Sequence, residues 1–176
     1  MITRGRFAVL TVLVSLPIVV FIAGVWGGFR INFSPSYPLG LWRIETIQRD
    51  VQIGDRVFIC PPRNATFELA RKRGYLRQGL CPGWLSPLIK TVVATSGHCV
   101  GIAASVTIDG RDLPHSELQA VDGSGRSLPP YPGGAVPSGF LFLHSPFKGS
   151  YDSRYFGPIP AKGVLGLATP ILTFGA

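Results

Sequence analysis

The sequence predicts a mainly β protein: a single antiparallel β domain with one short helix, carried on an N-terminal transmembrane helix. Three observations lead there. Glycine (22) and proline (16) are frequent among the 176 residues and long helical patterns are scarce, which favours short strands joined by tight turns. An uncharged apolar run of 22 residues, Phe7 to Gly28, stands near the N-terminus. Removing it and its flank leaves about 145 residues, enough for one domain with a substantial core.

The run comes first in chain order. As a helix it is about 33 Å long, against a hydrocarbon core of roughly 30 Å. It follows Met1-Ile-Thr-Arg-Gly-Arg6, whose two arginines predict a cytoplasmic tail over 1–6, an anchor over 7–28 and an extracytoplasmic domain over 29–176. The location expected is a single pass through a bacterial inner membrane, with the domain in the periplasm. A cleaved signal peptide has a shorter apolar core and a small-x-small cleavage site, which Phe21-Ile-Ala-Gly-Val-Trp26 does not offer. Pro17 and Gly24 bend such a helix without disqualifying it.

Leu41–Glu45 reads as a short strand, and Gly54-Asp55 as a turn before a strand at Arg56–Cys60. Asn64–Leu76 is the one convincing helix of the domain: Asn64 or Thr66 can cap it, Phe67 and Ala70 give it an apolar side, and Gly74 can end it. Its Arg71-Lys72-Arg73 run reads as a solvated face suited to a helix C-terminus. Leu88–Thr95 is a strong strand. Val100–Ile108 makes two shorter ones, and Asp109-Gly110 is a hairpin signal. Residues 115–138, rich in Ser, Gly and Pro, read as a surface loop. Gly139–His144 and Val164–Leu172 are the last strands.

Seventeen basic residues against nine acidic leave a net charge of +8, which suits anionic inner-membrane lipids or an acidic partner. No nucleic-acid-binding module accompanies it, so nucleic acid is not an expected partner. Cys60-Pro-Pro and Cys81-Pro-Gly flank one excursion and are expected to pair, leaving Cys99 as a small buried residue. His98, His115 and His144 are scattered without ligand spacing, so neither a metal nor a cofactor is expected.

Lys90 breaks the pattern of its strand. Leu88, Lys90, Val92 and Ala94 share one face, apolar except for the lysine. Burial disfavours an ammonium, and a lysine brought toward neutrality is a general base. A serine needs such a base, and Ser–Lys pairs are a recognised variant of the catalytic triad. The stretch "NFSPSYPLGLWRIE" (32–45) presents one: Pro35 keeps Ser34 extended, Pro38 stiffens the chain past Ser36, and Gly40 lets it turn. Only eight residues separate Gly28 from Ser36, a reach of at most about 30 Å, so the serine should lie close to the membrane surface.

Three stretches together resemble a family. Ser36-Tyr37-Pro38-Leu39-Gly40 resembles the nucleophile box of type I signal peptidases, Ile89–Gly97 their lysine box, and Gly149–Pro160 their C-terminal box. The Pro-Leu-Gly-Leu-Trp variant, Cys60-Pro-Pro and Arg-Lys-Arg-Gly-Tyr resemble the TraF branch, membrane-anchored peptidases of conjugation systems that mature a pilin. The resemblance implies a domain of signal-peptidase type with Ser36 as nucleophile and Lys90 as general base. It makes Ser34 an oxyanion helper, Ser150 an orienter of the lysine, and Asp152 with Arg154 a bracing ion pair. It further implies a pilin precursor as substrate, cut or cyclised through an acyl-enzyme, and a conjugation or secretion apparatus as partner. Ser96-Gly97-His98 and His144-Ser145-Pro146 depart from the acidic motifs of general signal peptidases. A general signal peptidase and a non-catalytic, membrane-anchored assembly factor are the competing readings.

Overall fold

The computed structural model describes residues 4–175, with backbone alone for residues 4–8 and 10. Residues 1–3 of the expected tail, and Ala176, lie outside the described residues. Helix α1 (Arg4–Trp26) covers most of the apolar run. Among the described residues, no helix is long and apolar enough to cross a membrane. Beyond α1 the chain passes directly into strand β1 (Phe29–Asn32). Arg30 fastens the junction: its Nη1 donates to Val25 O at 2.9 Å and Phe29 O at 2.7 Å, which satisfies a helix-end carbonyl and places a cation at the negative end of the dipole.

The strands that follow are β2 (Leu39–Glu45) and β3 (Arg56–Ile59), then helix α2 (Ala65–Lys72), β4 (Gln78–Cys81) and β5 (Leu88–Ala94). Next come β6 (Cys99–Ile102), β7 (Val106–Ile108), β8 (Arg111–Asp112), β9 (Gly134–Ala135) and β10 (Phe140–His144). A short helix α3 (Ser153–Phe156), β11 (Ile159–Pro160) and the long β12 (Val164–Phe174) complete the chain. Every ladder between these strands is antiparallel. A seven-stranded sheet runs β1-β2-β12-β3-β5-β10-β11, and a four-stranded sheet runs β8-β7-β6-β9. The domain is therefore mainly antiparallel β with few helices, as expected.

Alternation along the strands divides the core. Val57, Ile59, Val92, Leu141 and Leu143 pack with Phe67 and Ala70 of α2. The opposite face of the sheet gathers Phe58 and Ile89 with Trp42, Tyr37 and Ala168. Ala94 and Phe142 carry the large sheet into the small one, against Val100, Val106 and Val136. α2 keeps its expected start, with Asn64 Oδ1 accepting from Phe67 N at 3.0 Å. It is shorter than the predicted Asn64–Leu76. Gly74, at φ +80°, turns the chain while Tyr75 N donates back to Ala70 O, and Tyr75 and Leu76 pack on the core beyond the helix.

Gly40 sits within β2 rather than at a turn. Its φ is +127°, and a Cβ there would collide with Leu172 O of β12. The glycine lets two backbones approach at the bulge between Pro170 and Leu172. Cys99 corrects a second expectation: it is exposed, because β6 buries Val100 and turns Cys99 outward. Strands β1, β4, β9 and β11 and helix α3 are additional to the predicted elements, each two to four residues long. Cys60 and Cys81 are bonded, Cα to Cα 5.5 Å, and tie the end of β3 to β4 across 21 residues. Closing a loop of that length contributes about 3 kcal/mol. Replacing both cysteines by serine should lower the unfolding free energy by about that much in a urea titration.

Candidate active site

The loop between β1 and β2, residues 33–38, is the tip of a hairpin and carries Ser34 and Ser36. Its shape is held by Asn32. The Asn32 carboxamide oxygen accepts from Ser34 N at 2.9 Å, and the two hydrogens of its Nδ2 are shared among the carbonyls of Ser34, Tyr37 and Pro38 at 2.9–3.1 Å. Trp42 Nε1 donates to Pro38 O at 3.0 Å. Ser145 Oγ donates to Ser36 O at 2.6 Å, and the Tyr37 hydroxyl pairs with Thr91 Oγ1 at 2.6 Å. The loop is thus fixed to β5 and to the segment after β10 by contacts on either side of Ser36. Asn32 and Ser145 were missed by the sequence reading. An asparagine and a Ser-Pro pair beside a turn are the signals that could have found them.

Lys90 lies on β5 with 3 % of its surface exposed, opposite Val57 and one alternation from Val92. Its Nζ is 2.6 Å from Ser150 Oγ and 3.3 Å from Ser36 Oγ. Ser36 Oγ is 3.4 Å from Ser150 Oγ, so the three groups form a triangle. Burial pushes the Lys90 amine down to about 8, against the opposing pull of the Asp152 carboxylate and with help from the Arg154 guanidinium. A substantial fraction of the amine is therefore neutral at pH 7–8. Ser34 Oγ stands 3.3 Å from Ser36 Oγ, with Ser36 N directed at it from 3.5 Å. The Ser36 N–H and the Ser34 hydroxyl share one side of the nucleophile loop.

Ser150 is held from behind. Asp152 and Arg154 are both fully buried. Arg154 Nε donates to Asp152 Oδ1 at 2.8 Å and its Nη2 to Asp152 Oδ2 at 2.9 Å. The guanidinium also donates to the carbonyls of Glu117 (2.9 Å) and Ser150 (3.2 Å). Asp152 caps α3 through Arg154 N and accepts from Ser145 N at 3.2 Å. Burial alone would raise the Asp152 carboxyl. The His144 imidazole, the Arg154 guanidinium and the Lys90 amine outweigh it and hold the group at about 2. His144, buried with neither ring nitrogen hydrogen-bonded, stands 3.6 Å from Asp152 Oδ2. All six residues singled out from the sequence come together here. The serines and Lys90 form one hydrogen-bonded cluster, and Asp152 with Arg154 supports it from the core.

The cluster opens into a cleft of about 710 Å³ between the β1–β2 hairpin, the β4 segment and β5. The family model for signal peptidase, peptidase S26, matches residues 2–173. The chain belongs to that family. At the family level it is a serine peptidase. It is 59 % identical over 153 residues to a conjugal transfer protein TraF of Agrobacterium fabrum, covering 87 % of each chain. It is 58 % identical over 154 residues to a probable conjugal transfer protein TraF of Sinorhizobium fredii (87 % of this chain, 82 % of the other). A plasmid transfer protein TraF of Escherichia coli is 36 % identical over 157 residues, covering 86 % of this chain and 87 % of its own. The chain is thus a TraF-type member of the signal peptidase family.

Two stability predictions follow from the buried charges. Arg154→Met leaves the Asp152 carboxylate uncompensated in the core and should cost about 3–5 kcal/mol in chemical denaturation. Lys90→Met should instead stabilise the fold at pH 7. The unfolded chain binds the Lys90 proton more tightly, so wild-type stability rises with pH between about 8 and 10.5, and the full penalty applies below 8. The variant's advantage, about 3 kcal/mol at pH 7, should shrink as denaturation is repeated at rising pH.

Proposed function

We propose that this protein is a membrane-anchored serine endopeptidase that processes a conjugative pilin precursor through an acyl-enzyme on Ser36. The observation that carries the reading is Lys90 Nζ at 3.3 Å from Ser36 Oγ, where burial lowers the amine to about 8 and lets it release its proton in the neutral range. Lys90 takes the Ser36 hydroxyl proton as Oγ attacks the scissile carbonyl carbon. The Ser36 N–H and the Ser34 hydroxyl, turned toward each other and toward Ser36 Oγ in the resting site, re-aim at the developing oxyanion once substrate is bound, and one such donor is worth about 10²–10³ in rate. The tetrahedral adduct collapses as the C–N bond breaks, and the Lys90 ammonium passes its proton to the departing amine. In the second half, water or the substrate's own N-terminal amine attacks the ester, Lys90 again takes the proton, and Ser36 is restored. Water yields a trimmed pilin, whereas the amine yields a ring.

Ser150 acts as a positioning residue: at 2.6 Å from Nζ it fixes the amine beside Ser36. The substrate enters extended, adding as a strand beside the cleft. Conjugation as the setting is supported by the names of the relatives, each a transfer protein. Anchoring in the inner membrane is read from the sequence, from the uncharged apolar run Phe7–Gly28 behind two arginines. The run's described side chains Leu13, Val14 and Phe21 are 64–69 % exposed, without protein to cover them. The Arg30 brace at the end of α1 would keep the hairpin carrying Ser36 near the bilayer surface, where a membrane-inserted precursor presents its cleavage site. A periplasmic domain accords with the positive N-terminal flank and with the Cys60–Cys81 bond.

Ser36→Ala and Lys90→Ala, each expressed at the wild-type level, should leave the pilin precursor uncut, read by mass spectrometry of pilin from conjugating cells. Full maturation in either variant would establish the assembly-factor reading instead. The mature mass also reports how the acyl-enzyme resolves, because ring closure leaves it one water lighter than the trimmed chain. In vitro, kcat/KM should rise about tenfold per pH unit below 8 and level off above it, following the neutral Lys90 amine.

A further inference from the structure

The cleft beside Ser36 carries charge of one sign. Its charged wall residues are Arg30, Arg77 and Lys90, and none of its described wall residues is acidic. Two of the three cations are already committed. Arg30 donates to the carbonyls of Val25 and Phe29, and Lys90 is buried against Ser150 and Ser36. Arg77 differs. Its guanidinium lies over the ring of Phe33, 5.8 Å from the centroid, and among the described residues no side-chain or backbone oxygen accepts from it. Its backbone is nevertheless fixed, because Arg77 O accepts from Ser86 N at 2.8 Å just before β4 and the disulfide at Cys81.

The position matters because of what Phe33 is. It directly precedes Ser34 in the loop that presents Ser36, and it is 61 % exposed. Arg77 therefore reaches from the β4 side of the cleft to the nucleophile loop. A cation–π contact at that distance leaves the guanidinium N–H donors free, and their fork matches a carboxylate with two parallel N–H donors. Exposed Ile31 and Leu80 add apolar surface to the same cleft, which strengthens a charge pair formed there.

We propose that Arg77 is a specificity-determining residue that binds a carboxylate of the peptide substrate within a few residues of the cleaved bond. The carboxylate belongs to an Asp or Glu side chain or to a free C-terminus. This rests on the peptidase reading for the cleft and adds to it the chemistry the substrate must carry.

The test uses the full-length protein in detergent and internally quenched peptides with a small residue at the cleaved bond. Each flanking position in turn carries Glu or its isostere Gln, and each peptide is made as free acid and as amide. At one position, or at the terminus, the carboxylate form should be preferred about tenfold in kcat/KM through KM, the worth of one charge-assisted pair. The ratio should fall to about one in Arg77→Gln, persist in part in Arg77→Lys, and invert in favour of the uncharged form in Arg77→Glu. A preference read at a side chain and one read only between acid and amide separate the two sources of the carboxylate.

Binding of the same peptides to the Ser36→Ala variant, followed by fluorescence anisotropy, keeps this inference separate from the peptidase reading. An Arg77-dependent carboxylate preference in binding, with no peptide cleaved by wild type, supports the subsite and sinks the peptidase reading. No carboxylate preference in either assay, or one that survives Arg77→Gln, overturns the inference. So does an Arg77 effect seen only with phosphatidylglycerol vesicles, which would assign the cation to lipid headgroups.

Discussion

A lysine buried in an apolar sheet face is the constraint around which the rest is arranged. Nothing in the β-sheet requires a cation opposite Val57 and beside Val92, and burial works against its charge. The surroundings resolve the conflict without neutralising the site. Ser150 takes the amine's donor at 2.6 Å, while Asp152 lies close enough to resist deprotonation and Arg154 close enough to favour it. The outcome is an amine near 8 rather than 10.5, able to hold or release a proton in the neutral range. That balance is sensitive, because each member is in contact with the next.

The Asp152–Arg154 pair is expensive to bury and is made tolerable by saturation. Two nitrogens and two oxygens meet in a bidentate pair, and the remaining capacity goes to backbone groups of residues 117, 145, 147, 150 and 154. Such a pair contributes little net stability over an apolar pair, and its value lies in direction. By gripping the carbonyl of Ser150 and the amide of Ser145, it sets the segment against which both Lys90 and the Ser36 loop are placed. Ser145 in turn holds the Ser36 carbonyl, so one buried ion pair orients Ser36 and Lys90 together.

The nucleophile loop shows the same economy. Its prolines limit the backbone, but its shape comes from one carboxamide, Asn32, which reaches four backbone groups within six residues. A loop stiffened in this way keeps Ser36 placed without needing substrate to order it, in line with the general demand for preorganisation at a reacting centre. The Arg30 contact joins that loop's hairpin to α1, so whatever positions the helix also positions the serine.

Much of this was written in local pattern. Period-two alternation exposed Lys90 as the misfit of β5, the long uncharged run marked α1, and Asn64 with Gly74 bracketed α2, because each depends only on neighbours in the chain. Ser34, Ser36, Ser150, Asp152 and Arg154 were legible through ordered motifs rather than periodicity. Tertiary structure alone decided that Ser36, Lys90 and Ser150, up to 114 residues apart, meet in one triangle, since that depends on the strand order of the sheet. It alone assigned Asn32 and Ser145 their hydrogen bonds, turned Cys99 outward, and made Gly40 a site of backbone contact with β12 rather than a turn. Each of these is a contact between residues far apart in the chain or a choice of face, and no local pattern encodes either.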